Sequence, residues 1–213
     1  MAVLTVVLAT RNEGKVAEFK AGLADLGITI LSLRDFPTCP EVEEDGETFS
    51  ANALKKARAA FACTGLPSLA DDSGLEVDAL GGAPGVLSHR FAGPEEDDAA
   101  NNAKLLALLS GRPEEARTAR FRAVLALVWG PGKERMVEGT CEGRILEKPR
   151  GRGGFGYDPL FYVPTLGRTL AELNVAEKNS VSHRGAAIRN LRPVLAELIA
   201  KGELAEHAHR GGE

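Results

Sequence analysis

The chain has 213 residues, 44% hydrophobic and 26% charged, which suits one large domain or two small lobes and excludes a disordered chain. Its formal net charge of -4 excludes a general nucleic-acid surface, which carries a basic excess. Ala2 to Ala9 is apolar but lacks the basic start and the length of a secretory signal, and no run reaches transmembrane length, so the sequence predicts a cytoplasmic protein that engages neither membrane nor nucleic-acid polymer.

Val3 to Ala9 reads as a short buried strand, and Val16, Phe19, Leu23 and Leu26 follow at helical spacing with Gly27 as a stop. Ile28 to Leu33 reads as a second strand. Residues 41 to 47 form an acidic loop, after which Phe49, Ala53, Ala57, Ala60 and Phe61 mark one face of a helix, with Lys55, Lys56 and Arg58 elsewhere on it. Leu66 to Ala70 leads into Asp71-Asp72, where Ser73-Gly74 is expected to turn the chain. Gly81 to Gly85 is a glycine-rich connection, and Asn101 to Leu109 is helical.

Arg120 to Trp129, Arg135 to Glu142 and Gly143 to Glu147 read as strands separated by glycine turns, an antiparallel meander that can form a second lobe. Gly151 to Pro159 is turn-rich, Leu160 to Val163 is a short strand, and Ile188, Leu191, Leu195 and Leu198 are the buried face of a closing helix. Helices and strands mix without a strict βαβ rhythm, so the fold class is α/β with a mixed central sheet. Residues 1–202 make one domain of two lobes; 203–213, with His207 and His209, make a polar, frayed tail.

Cys39, Cys63 and Cys141 are odd in number and far apart, without CxxC spacing, so reduced thiols are expected rather than a disulfide framework or a zinc site. The chain has no glutamine and only 2 methionines, a bias found in heat-adapted proteins.

Two adjacent carboxylates repel each other, and burying them requires a cation, a donor or a proton. Asp71 and Asp72 therefore suggest a metal, with Asp72 the better candidate, although an acidic turn in solvent would use the same residues. Glu43 and Glu44 lie in the acidic loop, and a Mg2+ site needs only one or two carboxylates beside water and phosphate, which Glu44 and Asp72 could supply. Thr10-Arg11-Asn12-Glu13-Gly14-Lys15 lies where a strand meets a helix start, a place that favours phosphate; a plain N-capping turn accounts for it equally well. It is not a Walker A loop.

Phe155 and Asp158, within Gly151 to Pro159, could stack on a base and accept hydrogen bonds from it, or the aromatics could cap the core. His183 and Arg184 follow Ser182, a candidate N-cap. Cations at a helix start suggest a bound anion or carbonyl, and a surface pair is the plain alternative. No serine or cysteine nucleophile has a base and orienting acid in a recognised context.

Taken in order, Thr10-x-Asn12-x-x-Lys15, Glu44, Asn52-Ala53-x-x-Lys56-Ala57, Ala70-Asp71-Asp72-Ser73-Gly74-Leu75, Gly153-Gly154-Phe155-Gly156-Tyr157-Asp158-Pro159, Lys178 and Ser182-His183-Arg184-Gly185 resemble the Ham1/ITPase family. The resemblance runs from about residue 3 to 198. It implies a Mg2+-dependent pyrophosphatase that converts ITP, dITP or XTP to the monophosphate and pyrophosphate, working as a homodimer with its site in a cleft between two lobes. It implies that Thr10, Arg11, Asn12, Glu13, Gly14 and Lys15 bind the triphosphate and that Glu44 and Asp72 hold the metal. Asp72 would be the base and Lys56 would face the phosphates. Ser73, Phe155, Gly156, Tyr157, Asp158, Lys178, His183 and Arg184 would hold the rest of the substrate. Two positions depart from the family pattern: Arg11 stands where a smaller residue is common, and Ala51 where many members carry Glu. The alternatives are a pyrophosphatase for modified pyrimidine or ordinary nucleotides and a nucleotide sensor without catalysis.

Overall fold

The computed structural model describes residues 4–95 and 97–204. Among the described residues, seven strands form one mixed sheet in the order β2-β1-β3-β4-β5-β6-β7, accompanied by five α-helices and short 3-10 turns. The described residues divide into two compact units: one from within residues 4–72, 124–138 and 187–204, the other from within 73–123 and 139–186.

In the first unit, β1 (Leu4–Leu8) runs parallel to both β2 (Ile28–Ser32) and the start of β3 (Ser68–Val77), with Val7 opposite Ser68. A strand buried on both faces reads as a continuous apolar run, as Leu4 to Leu8 does. α1 (Glu13–Leu23) begins at Asn12, whose side chain accepts the Lys15 N–H, and Gly27 at φ 65 ends the turn after it. α2 (Phe49–Thr64) starts at the Thr48 cap and stops at Gly65, φ 67. Its buried face carries Phe49, Ala53, Ala57 and Ala60, and at the same spacing Asn52 and Lys56. Lys56, expected off this face, is therefore buried, because it occupies a core position of an amphipathic helix.

The second unit packs around Leu75, Leu105, Leu109, Phe121, Tyr157, Leu160 and Phe161. It contains α3 (Asp98–Leu108) and α4 (Val175–Val181), and the antiparallel strands β6 (Phe161–Val163) and β7 (Arg168–Thr169). β4 (Thr118–Gly130) and β5 (Lys133–Ile145) are neighbours joined by Pro131-Gly132, and β5 pairs antiparallel with β6. α5 (His183–Ala200) closes the chain, with Ile188, Leu191, Leu195 and Leu198 buried.

Several expectations need correction. Ser73-Gly74 does not turn the chain: β3 passes straight through it to Val77, because the segment is buried on both sides and its backbone groups need ladder partners. Gly143 does not end a strand, since β5 is unbroken from Lys133 to Ile145. A Cβ there would lie 2.5 Å from the Tyr162 carbonyl oxygen, so close packing requires the glycine. α3 begins at Asp98, three residues ahead of the helix read from Asn101.

Cys39 and Cys63 are not reduced thiols but a disulfide, with Cα atoms 5.8 Å apart. Folding brings the loop after β2 to the last turn of α2, a long-range meeting that cysteine spacing does not encode. Cys141 is the remaining thiol, buried and raised by that burial to about 11. Of the expected tail, Leu204 is buried and Glu203 accepts a hydrogen bond from Trp129 Nε1 at 3.3 Å. Residues 205–213, with His207 and His209, lie outside the described residues, as does Val3.

Candidate active site

In the first unit, one ammonium collects three oxygens. Lys56 Nζ lies 2.6 Å from Glu44 Oε1, 2.9 Å from Asp72 Oδ1 and 2.9 Å from the Asp71 carbonyl oxygen. Lys56 and Asp72 are 8% and 2% exposed, so both charges are held largely out of water. Burial pulls the lysine down, but Asp72 and Glu44 more than offset it and its pKa rises. Burial also pushes Asp72 up, to about 6, with Lys56 opposing and Glu44 adding to the shift. A carboxylate at that value is a serviceable base near neutral pH.

Asp71 points the other way, as strand alternation requires, and meets Lys15 Nζ at 2.8 Å. The two adjacent carboxylates thus each have a buried lysine. The acidic loop is anchored to α2: Asn52 Oδ1 accepts the Gly46 N–H at 2.7 Å, and Lys55 pairs with Asp45 at 2.7 Å. Asn52 is fully buried, so the loop carrying Glu44 is held by more than surface charge.

The turn before α1 is organised mainly for its own cap. Thr10 Oγ1 accepts the Asn12 N–H at 3.2 Å, and Asn12 Oδ1 accepts the Lys15 N–H at 3.0 Å. Two of its expected ligands are engaged elsewhere. Arg11 donates to the Cys39 carbonyl at 2.8 Å, and Glu13 pairs with Arg34, which also donates to the Arg11 carbonyl. Gly14 lies in the first turn of α1.

Asp72 Oδ2 is buried and has no hydrogen-bond partner, and Glu44 and Asp72 already share one cation, the lysine. Among the described residues no three His, Cys, Asp or Glu side chains form a metal cluster. Two carboxylates, one with an oxygen to spare, fit an ion such as Mg2+ that takes its other ligands from phosphate and water.

In the second unit a pocket of about 390 Å³, counting its open mouth, is lined by residues from several segments, including Ser73, Phe155 to Asp158, His183 and Arg184. His183 stacks on Phe121 with ring centroids 4.6 Å apart and planes 14° from parallel. Arg184, 2% exposed, donates to Ser73 Oγ at 2.8 Å. Gly185 lets that helix start approach α4, since a Cβ there would lie 1.9 Å from the Asn179 carbonyl oxygen. Ser182 Oγ accepts the Gly185 N–H at 3.1 Å, as a cap does.

The Phe155 to Asp158 loop is pinned at each residue. Asp158 Oδ2 accepts the Phe155 N–H at 3.0 Å and meets Lys178 Nζ at 2.5 Å. Tyr157 donates its hydroxyl proton to the Ser88 carbonyl at 2.8 Å, and burial raises its pKa. Lys178 and Arg184 sit 4.5 and 5.6 Å from the Phe155 ring centroid, so cations approach the ring expected to stack on a base. Asp158 therefore organises the loop that was expected to carry it as an acceptor for the base.

The structure brings together Glu44, Lys56 and Asp72, named from the sequence as metal carboxylates and a phosphate-facing lysine, and lines one pocket with Ser73, Phe155 to Asp158, His183 and Arg184, while Lys178 pairs with Asp158. Sequence reasoning missed the Asp71–Lys15 pair and the pocket residues Ser88, His89, Asp98 and Phe121. Phe121 lies within the strand read from Arg120 to Trp129 and was not singled out there, and Asp98 lies ahead of the helix read from Asn101.

The fold is α/β with a mixed sheet, and it carries a buried lysine–carboxylate cluster in one unit and an aromatic-lined pocket in the other. More narrowly, the chain belongs to the Ham1 family, whose model matches residues 6–194. It is 55% identical over 201 residues to the dITP/XTP pyrophosphatase of Desulforamulus reducens, spanning 94% of this chain and 100% of that one. With the dITP/XTP pyrophosphatase of Geobacter sulfurreducens the identity is 57%, over 88% and 94% of the two chains. The solved structure of a HAM1 protein from Coxiella burnetii superposes with a TM-score of 0.82 at 46% identity, covering 91% of this chain and 99% of that one.

Proposed function

We propose that the protein hydrolyses noncanonical purine nucleoside triphosphates, ITP, dITP and XTP, to the monophosphate and pyrophosphate, removing deaminated purines from the nucleotide pool. The observation that carries this reading is the single buried ammonium of Lys56 gathering Glu44 and Asp72, within a chain 55% identical to a dITP/XTP pyrophosphatase. In it, Glu44 and Asp72 hold Mg2+, which when bound neutralises phosphate oxygens and stabilises the charge that develops on them.

Lys15 and Lys56 provide the remaining positive charge for the phosphates, with backbone N–H groups at the start of α1 beside them. Asp72 takes a proton from the attacking water as the anhydride bond to pyrophosphate breaks. Asp72 Oδ2 has no hydrogen-bond partner, which leaves it open to the metal and its water. The pocket of Ser73, Phe155, Gly156, Tyr157, Asp158, His183 and Arg184, with Lys178 paired to its Asp158, receives the base. Donors there suit a 6-oxo group and are left unpaired against the 6-amino group of adenine, which disfavours ATP. Thr10, Asn12 and Gly14 shape the phosphate turn, while Arg11 and Glu13 serve by bracing it.

A cytoplasmic homodimer fits this role, since the nucleotide pool is cytoplasmic; among the described residues no helix is long and apolar enough to cross a membrane. The test is product analysis with Mg2+: ITP, dITP and XTP should yield the monophosphate and pyrophosphate. Preferential turnover of dUTP would favour a pyrimidine enzyme instead, and tight binding of ITP without pyrophosphate release would indicate a sensor.

A further inference from the structure

α3 supplies none of the side chains expected to bind substrate, yet its first two turns hold two backbone segments that line the pocket. Asp98 Oδ2 accepts the Gly156 N–H at 2.7 Å, and Asn102 Nδ2 donates to the Gly156 carbonyl at 2.9 Å. The two residues are four apart, so they share one helix face and grip the same glycine at both of its backbone groups. Asn101 does the same for the other segment, donating to the His89 carbonyl at 2.7 Å and accepting the Ala92 N–H at 2.6 Å. Gly156 and His89 both line the pocket, and so does Asp98.

Gly156 sits at φ 60, a backbone state that glycine adopts freely but does not prefer strongly over others. Inside the loop, the Asp158 N–H to Phe155 carbonyl bond and the Phe155 N–H to Asp158 Oδ2 bond bracket it. The Asp98 and Asn102 bonds add a restraint from outside, holding the peptide groups on either side of Gly156 and with them the direction of Phe155 and Tyr157. Tyr157 is tied in turn to Ser88.

We propose that Asp98 and Asn102 are positioning residues for base selection: a helix-borne clamp that holds the Phe155–Asp158 wall in the shape that admits a 6-oxopurine. This rests on the reading of that pocket as the base site. The clamp has a chemical signature, because position 98 must accept a hydrogen bond and position 102 must donate one. D98N keeps an acceptor oxygen, whereas D98A has none. N102D replaces the donor with a carboxylate facing a carbonyl, which repels.

Two measurements test it together. Amide hydrogen exchange over residues 155–158 should speed up in D98A and N102D, by about tenfold, and return close to wild type in D98N. In parallel, KM for ITP should rise about tenfold in D98A and N102D and the ITP-to-ATP ratio of kcat/KM should fall by a similar factor. In both, kcat should stay within about twofold of wild type, and D98N should recover most of the ratio. Unchanged exchange in D98A overturns the clamp. Faster exchange with an unchanged ITP-to-ATP ratio overturns its role in selection, and equal damage in D98A and D98N would mean that the charge, not the hydrogen bond, matters. If wild type releases no pyrophosphate from ITP, the proposed activity fails, while the exchange experiment still decides whether the clamp exists.

Discussion

The Lys56 cluster and the Phe155–Arg184 pocket solve different problems with different materials. In the cluster, buried charges compensate one another: Glu44 and Asp72 on Lys56, and Asp71 on Lys15. In the pocket, shape is held by stacked rings and by bonds to backbone, as in His183 on Phe121, Tyr157 to Ser88 and Gly156 on α3. On the proposed function, the cluster takes a charged occupant, metal or phosphate, and the pocket discriminates between bases. Damage to the first should therefore appear in kcat, and damage to the second in selectivity.

The largest effect separating them is expected at Asp72. D72N should lower kcat for pyrophosphate release by about 100- to 1,000-fold, the scale seen when one group stabilising a charged transition state is lost, while the fold survives. Its stability offers an internal check. Burial raises the Asp72 carboxyl from 3.8 to about 6, so the folded chain holds that proton more tightly than the unfolded one. The stability of metal-free wild type relative to D72N should be greatest below pH 3.8 and should fall as pH rises through about 6, measured by denaturant unfolding.

Next in size is the Cys39–Cys63 bridge, which closes the stretch of chain bearing Glu44, Asn52 and Lys56. Replacing both cysteines with serine, or reducing the bond with a dithiol, should cost about 3 kcal/mol by the loop-closure relation. Calorimetry would show the loss, and an unchanged melting midpoint would mean that the bridge constrains nothing. The pocket should answer differently. R184M should reduce kcat/KM for ITP by about tenfold or more and narrow the gap to ATP, because a buried donor has been removed.

The smallest effect sharpens the contrast within the acidic loop itself. The Lys55–Asp45 pair is half-exposed at 44% and 60%, so K55A should change stability by less than about 1 kcal/mol. N52A, which removes the buried tie to Gly46, should cost more and weaken Mg2+ binding, measured by calorimetric titration.

Where a residue sits on a regular element, the sequence was readable. Helix periodicity holds Lys56 as well, which shares its spacing with Phe49, Ala53, Ala57 and Ala60, although the sequence reading sets it off that apolar face. Asp71 and Asp72 alternate on a strand, which sends each to its own lysine. Legibility stopped where meaning lies in tertiary approach. Gly143 looks like a turn but is small because Phe161 and the Tyr162 carbonyl crowd it, and Ser73-Gly74 has turn composition yet lies inside a buried strand. The pocket draws on Ser88, Asp98, Phe121 and Gly156, from four separate segments with no common local pattern. Cys39 and Cys63, 24 residues apart, meet only after α2 has packed.

The central claim is tested most directly by steady-state pyrophosphate release from ITP and from ATP by the wild-type protein, with Mg2+ and with the metal chelated. The account predicts a kcat/KM for ITP at least about 100-fold above that for ATP, lost on chelation. Equal values for the two nucleotides, or turnover of ITP undiminished without metal, would contradict it.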